Sequence, residues 1–267
     1  MSVRKIIKER KKIYQRVRGA HLGRDTILFT DSKGVGLKEY IPESIGQKFK
    51  VLYKRGGSID NTKHTKSLID TVKDLDHPII LIWLGTCEIT QKKNKTIQFR
   101  KSPYQNIEET LTQYRDLKQQ IITTKPSATV LFIECPYYSC YSITRANKPK
   151  DSINLIVNSK KKTYPSLLVN KATKGHRKVQ LATNIDKELS EQIDYFNDHL
   201  KLINRLYSTP RISQDFILSN KTKRDTKVKY RKNFNLTSDG VHPIRAVNKL
   251  WMLKFIDLAL ELSEQGC

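Results

Sequence analysis

Four short apolar runs, each broken off by a turn, constrain this chain more than any other feature. Thr26 to Thr30 reads TILFT and stops at Asp31-Ser32-Lys33-Gly34, and Phe49 to Tyr53 reads FKVLY and stops at Arg55-Gly56-Gly57-Ser58. Pro78 to Leu84 (PIILIWL) stops at Gly85-Thr86-Cys87-Glu88, and Thr129 to Glu134 (TVLFIE) stops at Cys135-Pro136-Tyr137. Near-continuous apolar runs of this length predict strands covered on both faces, as in a parallel sheet between helix layers. Between and after them apolar residues recur at helical i+3/i+4 spacing. One stripe is Leu68, Val72 and Leu75, and another is Ile107, Leu111, Tyr114, Leu117 and Ile121. A third runs through Ile185, Leu189, Ile193, Phe196, Leu200, Ile203 and Tyr207, and a fourth through Val247, Trp251, Phe255, Leu258 and Leu262. Such stripes are core faces. Strands alternating with helices make βαβ units with right-handed crossovers. With a fifth strand expected at Phe216 to Leu218, the predicted fold class is α/β, a doubly wound parallel five-stranded sheet with helices on both faces.

At 267 residues with 37% apolar content the chain can bury one compact domain. The longest apolar stretch, Pro78 to Leu84, is too short to span a bilayer. The basic N-terminus lacks the apolar segment and cleavage site of a secretory signal, so an intracellular product, cytoplasmic or nuclear, is expected. Cys87, Cys135, Cys140 and Cys267 form no CxxC pair, and no Cys/His spacing suits zinc, so neither a disulfide framework nor a metal or other cofactor is expected. The formal charge is +24, and its placement matters more than its size. Residues 1–24, 145–180 and 219–233 together hold 26 of the 50 Lys and Arg but only 3 of the 26 Asp and Glu, which leaves the remainder nearly neutral. The expected organisation is a basic N-terminal helix or arm over 1–24, lying outside the core, then a domain over 25–267 with basic insertions at about 142–180 and 219–233. One charge run is ordinarily a solvated face. Three that carry almost all the net charge give the footprint of a polyanion binder, here RNA or DNA. The candidate contacts are Lys5, Lys8, Arg10, Lys11, Lys12, Lys160, Lys161, Lys162, Arg177, Lys178, Lys223, Arg224, Lys229 and Arg231.

In an open α/β sheet, ligands bind where the strands end. Ser32 directly follows the first strand, where a nucleophile would be exposed. Asp239-Gly240-Val241-His242 sets a carboxylate three residues before an imidazole, and a turn at Gly240 would let Asp239 orient His242 while His242 faces Ser32. Nucleophile, base and orienting acid are then all present. Taken singly, Asp31-Ser32 is an ordinary cap and His242 an ordinary packed histidine. Ser32-Lys33-Gly34-Val35-Gly36 lacks the full pattern of a phosphate loop. Tyr137, Tyr138 and Tyr141, with Cys135 and Cys140, follow the fourth strand near the site, and core packing is the favoured reading for them.

The turns at residues 30–32, 55–58, 85–88 and 239–243 stand in the order of the conserved blocks of the SGNH (GDSL-like) hydrolases, and the chain resembles that family over residues 26–258. The resemblance implies a flavodoxin-like SGNH fold and a cofactor-free serine ester hydrolase passing through an acyl-enzyme. Ser32 would be its nucleophile, His242 its base and Asp239 the partner of His242. It also implies an oxyanion hole built from the N–H groups of Ser32 and Gly57 and from the residue at position 87. Two positions depart from the family pattern. Thr30 replaces a glycine, and Cys87 replaces an asparagine whose amide is the third oxyanion donor. A thiol donates weakly, so feeble turnover is one expectation, and a catalytically degraded scaffold that binds nucleic acid is the alternative. Cys87 as nucleophile is less favoured because no base lies near it in sequence. A basic chain around an SGNH-like domain is also similar in layout to proteins of some LINE-type retrotransposons, which implies a mobile-element role.

Overall fold

The computed structural model describes residues 1–93, 96–100, 104–140, 177–205, 207–220 and 229–265. Helix α1 (Val3–Val17) precedes strand β1 (Thr26–Thr30), followed by short helix α2 (Glu43–Gly46), β2 (Phe49–Tyr53), α3 (Thr62–Lys73) and β3 (Ile79–Trp83). After β3 come α4 (Thr86–Ile89), a hairpin of β4 (Thr90–Lys93) and β5 (Thr96–Phe99), α5 (Gln105–Thr124) and β6 (Thr129–Phe132). The chain continues with α6 (Arg177–Asn204), a second hairpin of β7 (Ile217–Asn220) and β8 (Lys229–Lys232), and α7 (Arg245–Glu264). All four predicted apolar runs are strands of one parallel sheet in the order β2-β1-β3-β6, with Thr26 opposite both Phe49 and Ile79, and Ile79 opposite Thr129. Every residue of β1 and β3, the central strands, is buried. Edge strand β2 alternates, with Phe49 and Val51 buried and Lys50 exposed.

Side chains alternate across a strand, so the sheet sorts its helices by residue parity. Phe29 and Phe132, both in register with Ile82, contact His64 of α3 and Tyr114 of α5 respectively. Trp83 projects to the opposite face and meets Trp251 and Phe255 of α7 edge-on, with ring centroids 5.5 and 5.1 Å apart. The fold is thus an α/β sandwich with a four-stranded parallel sheet flanked by helices, broadly consistent with an SGNH-like core.

The fifth strand does not join this sheet. Residues 212–216 form a 3-10 turn, and Ile217–Asn220 pairs antiparallel with Lys229–Lys232 in a separate hairpin. The free edge of β6 is satisfied by side chains instead. The Asn204 amide accepts from the Phe132 N–H and donates to the Phe132 carbonyl, both at 2.8 Å, and Asn197 does the same for Cys135 at 2.7 and 2.9 Å. Residues seven apart on a helix share a face, so α6 presents two amides in line and imitates a neighbouring strand.

Helix α1 is not a detached arm. Its Ile6, Ile13 and Val17 are buried, and it packs along α7. The N-terminal ammonium donates to the carbonyls of Asp215 and Ile217, Glu9 pairs with Lys254 at 2.9 Å, and Arg16 pairs with Asp257. Covered by the sheet on one side and α1 on the other, α7 buries more than its predicted stripe, including Leu250, Met252, Leu253 and Ile256. The α6 stripe ends sooner than its periodicity suggests. Ile185 and Tyr207 are exposed, and Tyr207 lies past the last helical turn.

Candidate active site

The Ser32 turn is built by its own neighbours. The Asp31 carboxylate accepts from the Lys33 N–H at 2.9 Å and caps a single 3-10 turn over Ser32–Gly34. A side chain at Gly34 would collide with Thr30 Cγ2 and Tyr53 Cβ at 2.5 and 2.6 Å, so the turn can hug the sheet only with glycine there. Lys33 is buried. Its ammonium pairs with Asp31, donates to Thr86 Oγ1 at 3.0 Å and lies 5.3 Å from the Trp83 ring centroid. Burial is the largest influence and opposes that charge, but Asp31, with smaller contributions from its surroundings, holds Lys33 above the ordinary lysine value. Removing one partner of such a pair leaves an uncompensated buried charge, at a cost of about 3–5 kcal/mol.

The second loop arrives just before α7. Gly240 takes φ +100°, and its N–H donates to Thr237 Oγ1 at 3.1 Å. Asp239 Oδ1 then accepts from the N–H groups of Val241 and His242, at 3.0 and 2.7 Å, and Asp239 Oδ2 accepts from His242 Nδ1 at 2.6 Å. That bond fixes the neutral ring with Nε2 as acceptor, and Nε2 lies 3.0 Å from Ser32 Oγ across 210 positions of sequence. Burial works against the Asp239 charge, but these donors draw its carboxyl down to about 2. The bond to Asp239 raises His242 above its ordinary value, against burial. The structure therefore brings together Ser32, His242 and Asp239.

The three positions expected around an oxyanion differ from one another. No acceptor among the described residues faces the Ser32 N–H. The Gly57 N–H instead donates to the Lys54 carbonyl at 2.9 Å, closing its own turn, so this expected donor is already engaged. Burial pushes the Cys87 thiol up to about 12, reinforced by Asp31 and Glu88, so it keeps its proton at neutral pH. A protonated thiol is a poor nucleophile.

Beside these lie groups to which sequence reading gave no role in the site, Glu88 and Asn106, together with tyrosines it assigned to core packing. Glu88 is buried, accepts from the Ile59 and Gly85 N–H groups at 2.8 Å each, and so ties the loop after β2 to the turn after β3. Burial, with Asp31 nearby, raises its carboxyl to about 7. Asn106 of α5 donates to the Glu88 carbonyl. Tyr138, buried, contacts Thr90 Oγ1 at 3.0 Å and donates to the Thr86 carbonyl at 3.3 Å, while Tyr137 donates to Asp194. Tyr138 thus braces the turn after β3 from the core, whereas Tyr137 is tied to α6. Tyr141 lies outside the described residues.

Of the proposed polyanion contacts, Lys5, Lys8, Lys11 and Lys12 are exposed on α1, and Arg10 is half-buried. Arg177 and Lys178 open α6, and Lys229 and Arg231 lie in β8. Lys160, Lys161, Lys162, Lys223 and Arg224, like Cys267, lie outside the described residues. Among the described residues no group of three or more His, Cys, Asp or Glu side chains is placed to hold a metal ion, and no helix is long and apolar enough to cross a membrane.

No family model matches this chain, and no curated protein does. Several solved structures are similar at low identity. A protein provisionally described as a platelet activating factor, from Streptococcus pneumonia, is 13% identical with a TM-score of 0.42, over 98% of this chain and 94% of the other. A lipase/acylhydrolase from Enterococcus faecalis is 15% identical with a TM-score of 0.39, over 91% and 96%. A GDSL-like lipase, also provisionally described, from Parabacteroides merdae is 12% identical with a TM-score of 0.40, over 91% and 98%.

Proposed function

We propose that this chain is a cofactor-free serine ester hydrolase of the SGNH type. The observation that carries the reading is the line from Ser32 Oγ through His242 to Asp239, 3.0 and 2.6 Å long, assembled from loops at opposite ends of the chain. In this reading His242 Nε2 takes the hydroxyl proton as Ser32 Oγ attacks the acyl carbonyl, then returns it to the departing alcohol oxygen. A water activated by the same nitrogen resolves the acyl-enzyme. Asp239 stabilises the imidazolium between those steps. The Ser32 N–H is the donor free to meet the oxyanion. A fluorophosphonate probe tests the reading directly. Wild-type protein is expected to be labelled and Ser32→Ala not, whereas no labelling of folded wild type leaves the alternative of a non-catalytic scaffold.

A second property is proposed for the basic segments, favoured by Lys5, Lys8, Lys11 and Lys12 exposed on one helix. They would bind RNA or DNA through phosphates, as suits a mobile-element protein. If those four lysines neutralise four phosphates of duplex DNA, log K falls against log salt with a slope steeper by about 3 to 4 than that of a variant with all four changed to glutamine. A titration showing the same slope for both proteins removes α1 from the interface.

A further inference from the structure

Beside the turn that carries Cys87 stands a cation, Arg100, that the proposed mechanism does not use. Arg100 follows the β4–β5 hairpin, and its N–H donates to the Ile89 carbonyl at 3.1 Å, which sets it against the turn bearing Cys87 and Glu88. Arg100 Nη2 donates to Asp60 Oδ2 at 2.9 Å, while Asp60 Oδ1 accepts from the Ser58 hydroxyl. Ser58 adjoins Gly57, and the Ile59 N–H is bound to Glu88, so Arg100, by its backbone N–H to Ile89 and its side chain to Asp60, links the loop after β2 to the segment after β3. Its charge reaches the Cys87 thiol, where it opposes the upward push of burial.

Asp60 does not use up this cation. A guanidinium offers five N–H donors in a fixed fork, and among the described residues only Nη2 is engaged. The side chain is 32% exposed, so an incoming group can reach it. Two further cations, Lys54 and exposed Arg55, stand on the loop that carries Asp60. Of the other nearby acids, Glu88 is buried with both oxygens taken by backbone N–H groups, and Asp31 is buried and paired with Lys33.

We propose that Arg100, held at the rim by Asp60, selects esters that carry an anionic group beside the scissile bond. The inference rests on the hydrolase reading and names a substrate class for it. A carboxylate on the acyl side and a phosphate on the alcohol side share this chemistry, and two substrate pairs separate them. One is p-nitrophenyl butyrate against mono-p-nitrophenyl succinate, and the other is phenyl acetate against 4-acetoxyphenyl phosphate. For at least one pair, wild type is expected to favour the anionic member by about five- to tenfold in kcat/KM, mostly through KM, because a charge-assisted contact at a partly exposed site keeps part of its strength. That ratio should shrink as salt is added. It should survive in part in R100K, fall to about one in R100Q and drop below one in R100E, an order that a merely structural pair would not produce. A ratio near one in wild type for both pairs, or an undiminished ratio in R100Q, overturns the proposal and leaves the hydrolase standing. Absence of turnover together with absence of fluorophosphonate labelling in folded wild type overturns both.

Discussion

Replacing His242 with alanine is expected to lower kcat on an activated ester by on the order of 10⁴-fold or more, and adding Ser32→Ala should lower it little further. On the proposed hydrolase reading the two groups act as a unit. Without the base, the Ser32 hydroxyl must lose its proton to water, and without the hydroxyl the base has nothing to activate. Steady-state kinetics of the two single variants and the double variant check this, and additive losses would dissolve the pairing seen at 3.0 Å. The pH profile gives an independent readout. In the proposed mechanism His242 must be neutral, and the bond to Asp239 raises its pKa above the ordinary value near 6.5. Activity should therefore fall as pH drops through a midpoint higher than that of an unperturbed histidine. Asp239→Asn should move that limb to lower pH while also reducing kcat. Stability has the opposite sign for the imidazole. A raised histidine pKa stabilises the fold at pH below its unfolded value, and that contribution is lost as pH rises through the folded one. Asp239, held to about 2, contributes above the ordinary carboxylate range and loses the contribution as pH falls toward 2. Both side chains are over a third exposed, so these effects on stability are small.

Periodicity and turn chemistry made the four strands of the sheet legible, because buried parallel strands must be continuously apolar and must end where ligand-facing turns begin. Ser32, Asp239 and His242 were legible as a set for the same reason, each standing at a strand or loop end in the required order. The fifth strand misled because Phe216-Ile217-Leu218 has strand character, while the amides of Asn197 and Asn204 already satisfy the edge of β6 and look in sequence like ordinary polar helix positions. The docking of α1 was hidden by charge. Its three buried apolar residues are outnumbered by cations that need only the outward face. Lys33 was least legible of all. A lysine beside a turn serine reads as solvent-exposed, and only the fold shows Asp31 and Thr86 enclosing its ammonium. The engaged Gly57 N–H is likewise a property of the tertiary turn, since nothing in Arg55-Gly56-Gly57-Ser58 reveals which carbonyl it will meet.

Cys87→Asn is expected to raise kcat by about ten- to a hundredfold. A single oxyanion donor is worth on the order of 2.7–4 kcal/mol where one is removed from a working site, or about a hundred- to a thousandfold in rate. Part of that is forfeited here because the pocket was shaped around a smaller side chain. On the proposed reading the wild-type oxyanion site is poor for two reasons that add. The Gly57 N–H is turned toward the Lys54 carbonyl, which leaves the Ser32 N–H as the one free backbone donor of the expected set. The thiol of Cys87, kept protonated by burial, is a weak donor where an amide would be a good one. An amide at position 87 would add a donor that strengthens only as negative charge develops, so its effect should fall on kcat and little on KM. Cys87→Ala supplies the contrast, since removing a weak donor should cost less than tenfold. If Cys87→Asn left kcat unchanged while Cys87→Ala cost a hundredfold, the thiol would itself be a participant and the oxyanion reading would fail. A fall in both variants with the fluorophosphonate rate unaltered would place position 87 in deacylation, since that probe reports only on the attack by Ser32.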